Sequence, residues 1–324
     1  MVRHAADGWL DCACGKRHWG LLGAAGLYLW REQAKPAVKQ PPTPAMLVKP
    51  KPHSAQLPHQ YLGQLRAPGT HLGSMWGLPG GARDAGESAV SAALRETGEE
   101  TGLPAGSTRV WGWRKLVHPG PANQTWSYTT VVAELAKPEV ADLLAPQDWE
   151  SLAIEFVWPG EEDGEVLPAL RSVAAELASM VRRPLVVVDA ANVVGSRPDG
   201  WWKDRAGAAE RLLEDCARAL AAGFAAEALR LPGDHWYPDV LVVLEGKAKP
   251  AGFPGEIFSP FGARLWVVEA AGEGDDVIAA HVATEAAIPG RHVVVLTADK
   301  GLALRCRNAG AVVASPRTIP RQGS

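Results

Sequence analysis

From residue 184 onward the sequence repeats one move: a short apolar, β-branched run followed by a stretch with helical spacing. The runs are LVVVD (185–189), DVLVVLE (239–245), RLWVVEA (264–270) and HVVVLTAD (292–299), with helices expected at about 204–223, 275–287 and from about 300. A run that is apolar at every position has no solvent face, so each strand must be covered above and below. Helices alternating with such strands do this in a parallel sheet. Residues before 184 follow another rule. Strand candidates GLYLW (26–30), YLGQLRA (61–67), WSYTTVVAEL (126–135) and IEFVW (154–158) are separated by Gly and Pro, with one clear helix at 88–101. A second helix, PALRSVAAELASMV at 168–181, closes this segment or bridges to the next. The change of pattern divides the chain into domains 1–183 and 184–324, and its 324 residues are long for a single core.

Composition narrows the class. A net charge of -3 argues against a protein that coats nucleic acid, while leaving room for a local basic groove. Four scattered cysteines do not make a disulfide scaffold, so reduced thiols and a cytoplasmic setting are expected. The apolar run WGLLGAAGLYLW (19–30) is too short to span a bilayer and lacks a basic, cleavable lead-in, so no membrane or targeting segment is expected. Residues 34–59 carry seven prolines and four lysines without a period, which reads as a solvated insert between two strands of the first domain.

Within the helix at 88–101, Glu96, Glu99 and Glu100 fall inside an arc of roughly 100°, with Val90, Leu94 and Thr101 on the other side. Like charges at this spacing repel unless the face is solvated or a cation intervenes. Ala89, Ala92 and Ala93 lie near the acidic arc and are expected to leave room above it. Three hard oxygen donors facing open space suit Mg2+ (or Mn2+), which takes its remaining ligands from water and phosphate. Gly81 and Gly102 mark the chain reversals on either side, and Arg95 is placed to pair with Glu87.

The spacing Gly81, Glu87, Arg95-Glu96, Glu99-Glu100 and Gly102, after the lead-in MWGLPGG (75–81), resembles the signature of the Nudix hydrolase family over roughly residues 17–160. Thr97 stands where the family usually has a bulkier aliphatic. The resemblance implies an αβα sandwich with a mixed sheet that hydrolyses a nucleoside diphosphate linked to another group, such as an NTP, a dinucleotide or an RNA 5′ end. It makes Glu96, Glu99 and Glu100 the metal ligands, with Glu87 and Arg95 supporting the loop-helix-loop as part of the catalytic set. Arg66 and Arg83 flank the box as candidate phosphate contacts.

Near the N-terminus, CACGKRHWG (12–20) places Cys12, Cys14 and His18 in one loop, three of the four donors of a zinc tetrahedron, with His4 or water as the fourth. The other reading is a compact glycine turn with inert thiols.

In an open parallel sheet, ligands gather outside the carboxyl ends of the strands. Here Asp189, Glu245 and Asp299 close three of the runs, and Asp275 and Asp276 follow the fourth. VVVDAANVVG (186–195), GDDVIAAHV (274–282) and VVLTADKGLALRCRNAGA (294–311) resemble the PIN-like nuclease fold, in particular its NYN branch, over about 184–315. That resemblance implies a mainly parallel sheet with helices on both faces, RNA as a partner, and Asp189, Asp275 and Asp299 as metal ligands. Asn192 and Thr297 become supporting polar groups, with Asp276 and Glu245 as further members of the site. The pair Trp201-Trp202, followed by Lys203 and Arg205, reads as loop packing or as a base-stacking platform.

Three functional readings follow: a pyrophosphohydrolase fused to a metal-dependent ribonuclease, a nucleotide hydrolase with a non-catalytic RNA-binding module, and a silent nucleotide sensor.

Overall fold

Seven consecutive buried residues, Ala24 to Trp30, make β3 (Ala24–Glu32) the axis of the first half of the chain. A strand buried on both faces needs partners on both edges, and β3 has three. In the computed structural model, which describes residues 6–34, 57–119, 125–197, 201–245 and 253–321, it runs parallel to β8 (Thr125–Leu135) along one edge. Its other edge is shared antiparallel between β6 (Gly80–Ala82), beside Ala24–Gly26, and β4 (His59–Arg66), beside Trp30–Glu32. The sharing brings the glycine loop of the acidic box onto the middle of the sheet. Residues 35–56, most of the proline-rich insert, and His4 lie outside the described residues.

Contacts divide the described chain into two units. The first holds residues up to 34, 58–181 and 232–235. It opens with a small hairpin, β1 (Trp9–Asp11) against β2 (Arg17–Trp19). Its main sheet is mixed, in the order β10-β5-β4-β3-β8-β7, where β5 is Met75–Gly77, β7 is Thr108–Pro119 and β10 is Glu165–Val166. β9 (Ser151–Val157) pairs with β4. Helix α1 (Ala89–Thr101) lies against β3 and β6, and α2 (Pro168–Ser179) completes the unit. Ser88 starts α1 by accepting the Ser91 amide on its hydroxyl, and Gly102, at φ +75°, ends it in the left-handed region.

The second unit holds, among the described residues, Leu57, residues 182–231 and those from 236 onward. Its strands are β11 (Arg183–Asp189), β14 (Asp239–Glu245), β15 (Glu256–Phe258), β16 (Arg264–Ala270), β17 (Arg291–Leu296) and β18 (Val312–Ala314), in the sheet order β15-β16-β14-β11-β17-β18. All neighbours are parallel except the edge strand β15. Leu185, Val187, Leu241 and Val243 pack on one face against α6 (Gly274–Ala286) and α7 (Lys300–Asn308). Val186, Val188, Val240 and Val242, on the other face, are also fully buried, and α3 (Ala190–Gly195) and α4 (Arg205–Ala222) lie against these strands. Between α4 and β14 run the short elements β12 (Phe224–Ala225), α5 (Ala226–Leu229) and β13 (His235–Trp236).

Two details differ from the sequence expectation. Ala92 and Ala93 are fully buried, so they belong to the packed side of α1 and leave no room above the carboxylates; the space is made by the backbone of Gly80 and Gly81 instead. The last run, expected as HVVVLTAD, pairs only to Leu296, because Thr297 and Asp299 are engaged in the turn that starts α7. Among the described residues no helix is long and apolar enough to cross a membrane.

Candidate active site

The box begins where β6 meets β3. A Cβ on Gly80, whose φ is +151°, would fall 2.3 Å from the Ala25 carbonyl oxygen, so the strand can approach only as glycine. A Cβ on Gly81 would fall 2.6 Å from the Glu96 carboxylate, which brings that side chain flat against the loop backbone. The loop then turns back through Glu87, whose Oε2 accepts the Asp84 amide at 3.0 Å. Arg95, nearly two helical turns into α1, grips Glu87 with two bonds of 3.0 Å, from Nε to Oε1 and from a terminal nitrogen to Oε2. The same guanidinium donates to the Ala82 carbonyl at 3.0 Å, to Glu96 at 3.0 Å and to Glu99 at 3.4 Å. Loop and helix are thereby locked through one side chain.

The three box glutamates sit in different surroundings. Glu99 is exposed, with 55% of its side chain open to solvent, while Glu100 is only 7% exposed. Burial pushes the Glu100 carboxyl up to about 8; the groups opposing it are dipoles, the Gly80 amide at 2.8 Å and Gln64, while Glu96 and Asp148 add to the rise. Burial also raises Glu96, with the Arg95 charge working against it. Glu87 is pushed up by burial, but the bonds from Arg95 and the Asp84 amide outweigh this and hold it below the ordinary carboxylate range. A buried carboxylate balanced only by neutral dipoles, next to two more carboxylates, is a set of hard oxygen donors short of positive charge. This donor set fits Mg2+ or Mn2+ and would not suit a soft cation.

All three glutamates line a cavity of about 860 Å³ in the first unit. Arg66 lines it as well, its Nε bonded to the His71 carbonyl at 3.1 Å. Arg83 does not; it donates to the Glu87 carbonyl at 2.7 Å and so braces the loop. Part of the lining is aromatic, contributed by Trp9, Trp19, Trp126, Tyr128 and Trp149. Asp148 and Glu150 add two carboxylates to the rim, and Glu150 is raised by burial and by Asp148. Sequence reasoning missed Gln64, Tyr128, Asp148, Glu150 and the aromatic wall. Gln64 is fully buried in β4, whose sequence HQYLGQLR carries other polar residues and so did not single it out.

The candidate residues of the second unit lie at the carboxyl edge of its sheet. Asp189 accepts the Thr297 hydroxyl at 2.8 Å and caps α3 through the Asn192 amide at 3.0 Å. Asn192 in turn accepts the Ala298 amide at 2.8 Å. Asp299 caps α7 through the Leu302 amide at 2.7 Å, and Glu245 accepts the first amide of α6, from Gly274, at 2.7 Å. Asp275 is raised by burial and by the charges of Asp189, Asp299 and Glu245, which puts these four acids within one electrostatic neighbourhood. Asp276 points to Arg305 at 2.7 Å. Trp202 is 60% exposed, and the Arg205 guanidinium lies over the Trp201 ring at 5.9 Å.

Among the described residues, one trio of His, Cys, Asp or Glu side chains has donor atoms all within 4.8 Å of one another: Cys12, Cys14 and His18. The box glutamates have the Arg95 guanidinium among them, bonded to Glu96 and Glu99.

Comparison with known proteins bears on the first unit. The profile of the NUDIX domain family matches residues 58–179. A Bifidobacterium longum protein described as a nucleoside triphosphate pyrophosphatase/Nudix hydrolase fusion is 35% identical over 162 residues, which are 50% of this chain and 28% of that protein. A Mycobacterium tuberculosis protein named "Putative 8-oxo-dGTP diphosphatase 3" is 33% identical over 188 residues, 58% of this chain and 74% of that one. The crystal structure of a Nudix hydrolase from M. smegmatis shares 33% identity, covering 52% of this chain and 95% of that one, with a TM-score of 0.39.

Proposed function

The chain belongs to the Nudix hydrolase family, and on that premise we propose that its first unit is a metal-dependent pyrophosphohydrolase acting on nucleoside phosphates. The observation that carries this reading is the Arg95-locked loop and helix, which set Glu96, Glu99 and Glu100 on one cavity beside Arg66. Those three glutamates would hold the divalent cation. When bound, it would neutralise charge developing on the phosphate oxygens. Arg66 is the side chain suited to hold a terminal phosphate, and Glu87 acts at one remove by fixing Arg95. The aromatic wall offers a stacking surface for a base, which favours a nucleoside triphosphate, and the name of the mycobacterial relative points to an oxidised purine deoxynucleotide.

The test is phosphate or pyrophosphate release from a panel of nucleoside triphosphates, 8-oxo-dGTP, dinucleotides and triphosphorylated RNA, with Mg2+, for wild type and Glu99→Gln. Turnover abolished by the substitution supports the reading and ranks the substrates. A wild type inert on the whole panel overturns it in favour of a nucleotide sensor.

For residues 184–324 we propose a PIN-like, NYN-type domain, with Asp189, Asp275 and Asp299 as the metal-binding core of a ribonuclease. Support comes from Asp189, Asp299 and Glu245, near the carboxyl ends of a mainly parallel sheet, each raising the carboxyl of Asp275. A different observation favours an RNA-binding module without cleavage: Asp189, Asp299 and Glu245 are each engaged in capping a helix. Asp189→Asn with Asp299→Asn separates the two. A metal-dependent RNA cleavage that the double substitution removes supports the nuclease, and RNA binding without cleavage in the wild type supports the module.

A further inference from the structure

The β1–β2 hairpin ends in a turn built by backbone bonds from Cys12 N–H to the Lys16 carbonyl at 2.9 Å and from Gly15 N–H to the Cys12 carbonyl at 3.0 Å. Gly15 sits at φ +79° with open space around it, so the turn holds without packing behind it. This places Cys12 and Cys14 on the turn and His18 on the returning strand, opposite Leu10. Their donor atoms come within 4.8 Å of one another, and Cys14 Sγ lies 3.2 Å from His18 Nε2. The Cys14 amide points at Cys12 Sγ from 3.4 Å. The His18 ring is fixed from outside the hairpin by stacking on Trp126 at 4.1 Å and 14°. A further imidazole, that of His118 at the end of β7, lies 4.7 Å from it between ring centroids.

Two sulfurs and an imidazole nitrogen form a soft donor set, unlike the oxygens of the acidic box, and this chemistry selects a thiophilic cation. We propose that Cys12, Cys14 and His18 bind a single Zn2+, separate from the cation of the acidic box. Three protein donors leave one tetrahedral position, which His118 or a water fills. Binding replaces the thiol protons: both sulfurs bond to the metal as thiolates, their protons go to solvent, and Cys12 gives up its 2.8 Å bond to the Pro119 carbonyl. The ion would tie the hairpin to the ring of Trp126, which lines the cavity together with Trp9 and Trp19. Its role is therefore to hold the aromatic wall of that cavity.

The test uses the full chain, reduced and stripped of metal with a chelator, then titrated with Co2+ in excess Mg2+ so that the oxygen sites are already filled. One equivalent of Co2+ should give a thiolate-to-metal charge-transfer band and the intense visible bands of a tetrahedral ion, both erased by one equivalent of Zn2+. Removing a partner one shell out from a metal typically weakens binding 10- to 100-fold. Cys14→Ser and Cys12→Ser should each weaken it by more than about a hundredfold while leaving the far-ultraviolet circular dichroism unchanged. A wild type without the charge-transfer band, or a band that survives in both serine variants, overturns the proposal. Because the readout is spectroscopic, this outcome is independent of whether any nucleotide is turned over.

Discussion

Glu100 is the group on which the stability of the metal-free protein should turn. Its carboxyl stands at about 8 when folded against 4.5 for the free side chain, with burial as the leading cause. Between those two pH values the folded chain keeps a proton there that the unfolded chain has released. The unfolded state then binds fewer protons, so stability falls as pH rises through this window. The span from 4.5 to about 8, at about 1.4 kcal/mol per pH unit, amounts to a loss on the order of 5 kcal/mol. Glu100→Gln removes the titration and keeps an oxygen for the Gly80 amide. Hydrogen exchange of the α1 amides, measured with chelator present, reads the opening of the unit that carries the residue. Near pH 4.5 the two proteins should be close; by pH 9 the variant should be the more stable by several kcal/mol, the other titrating groups cancelling in the comparison. Adding Mg2+ at pH 8 should restore the wild type and do little for the variant. Parallel pH profiles for the two proteins would refute the reasoning.

The other tests address geometry. Gly81→Ala places a methyl 2.6 Å from the end of the Glu96 side chain, which can swing away, so the fold should survive while kcat/KM for the best nucleotide falls by about a hundredfold. Arg95→Lys cannot reproduce the two-bond grip on Glu87 and should lower unfolding stability by about 2 kcal/mol, read from urea midpoints. Glu245→Ala leaves the first amide of α6 without its acceptor and should cost about 1 kcal/mol, whereas Glu245→Gln should recover most of that.

How far the sequence carries can be judged residue by residue. The strands of the second unit were readable because Val186 to Val188 and Val240 to Val243 are apolar on both faces, a pattern with few alternative folds. The box was readable because glycine and charge recur there at fixed spacing. β7 escaped because Arg109, Arg114 and Lys115 interrupt its alternation and the register slips between Val110 and Gly112. The aromatic part of the cavity lining escaped for a different reason: Trp9, Trp126 and Trp149 are distant in sequence, and their common cavity is set by tertiary packing that local periodicity does not encode. The alanines of α1 misled because small residues look alike whether they open space or fill it, and Ala92 and Ala93 fill it.

Arg95 has a consequence beyond holding the loop. By contacting Glu96 and Glu99 as well as Glu87, it already occupies part of the positive role among the box acids before any metal arrives. A divalent cation held by Glu96 and Glu99 would have to take over from this guanidinium, which has Glu87 as a separate anchor. Glu100, which makes no bond to Arg95, has no such stand-in, and burial keeps it protonated up to about pH 8. One helix thus carries two acids already paired with a cation and one that is not, and the affinity of this site for a divalent cation should be set chiefly by the second.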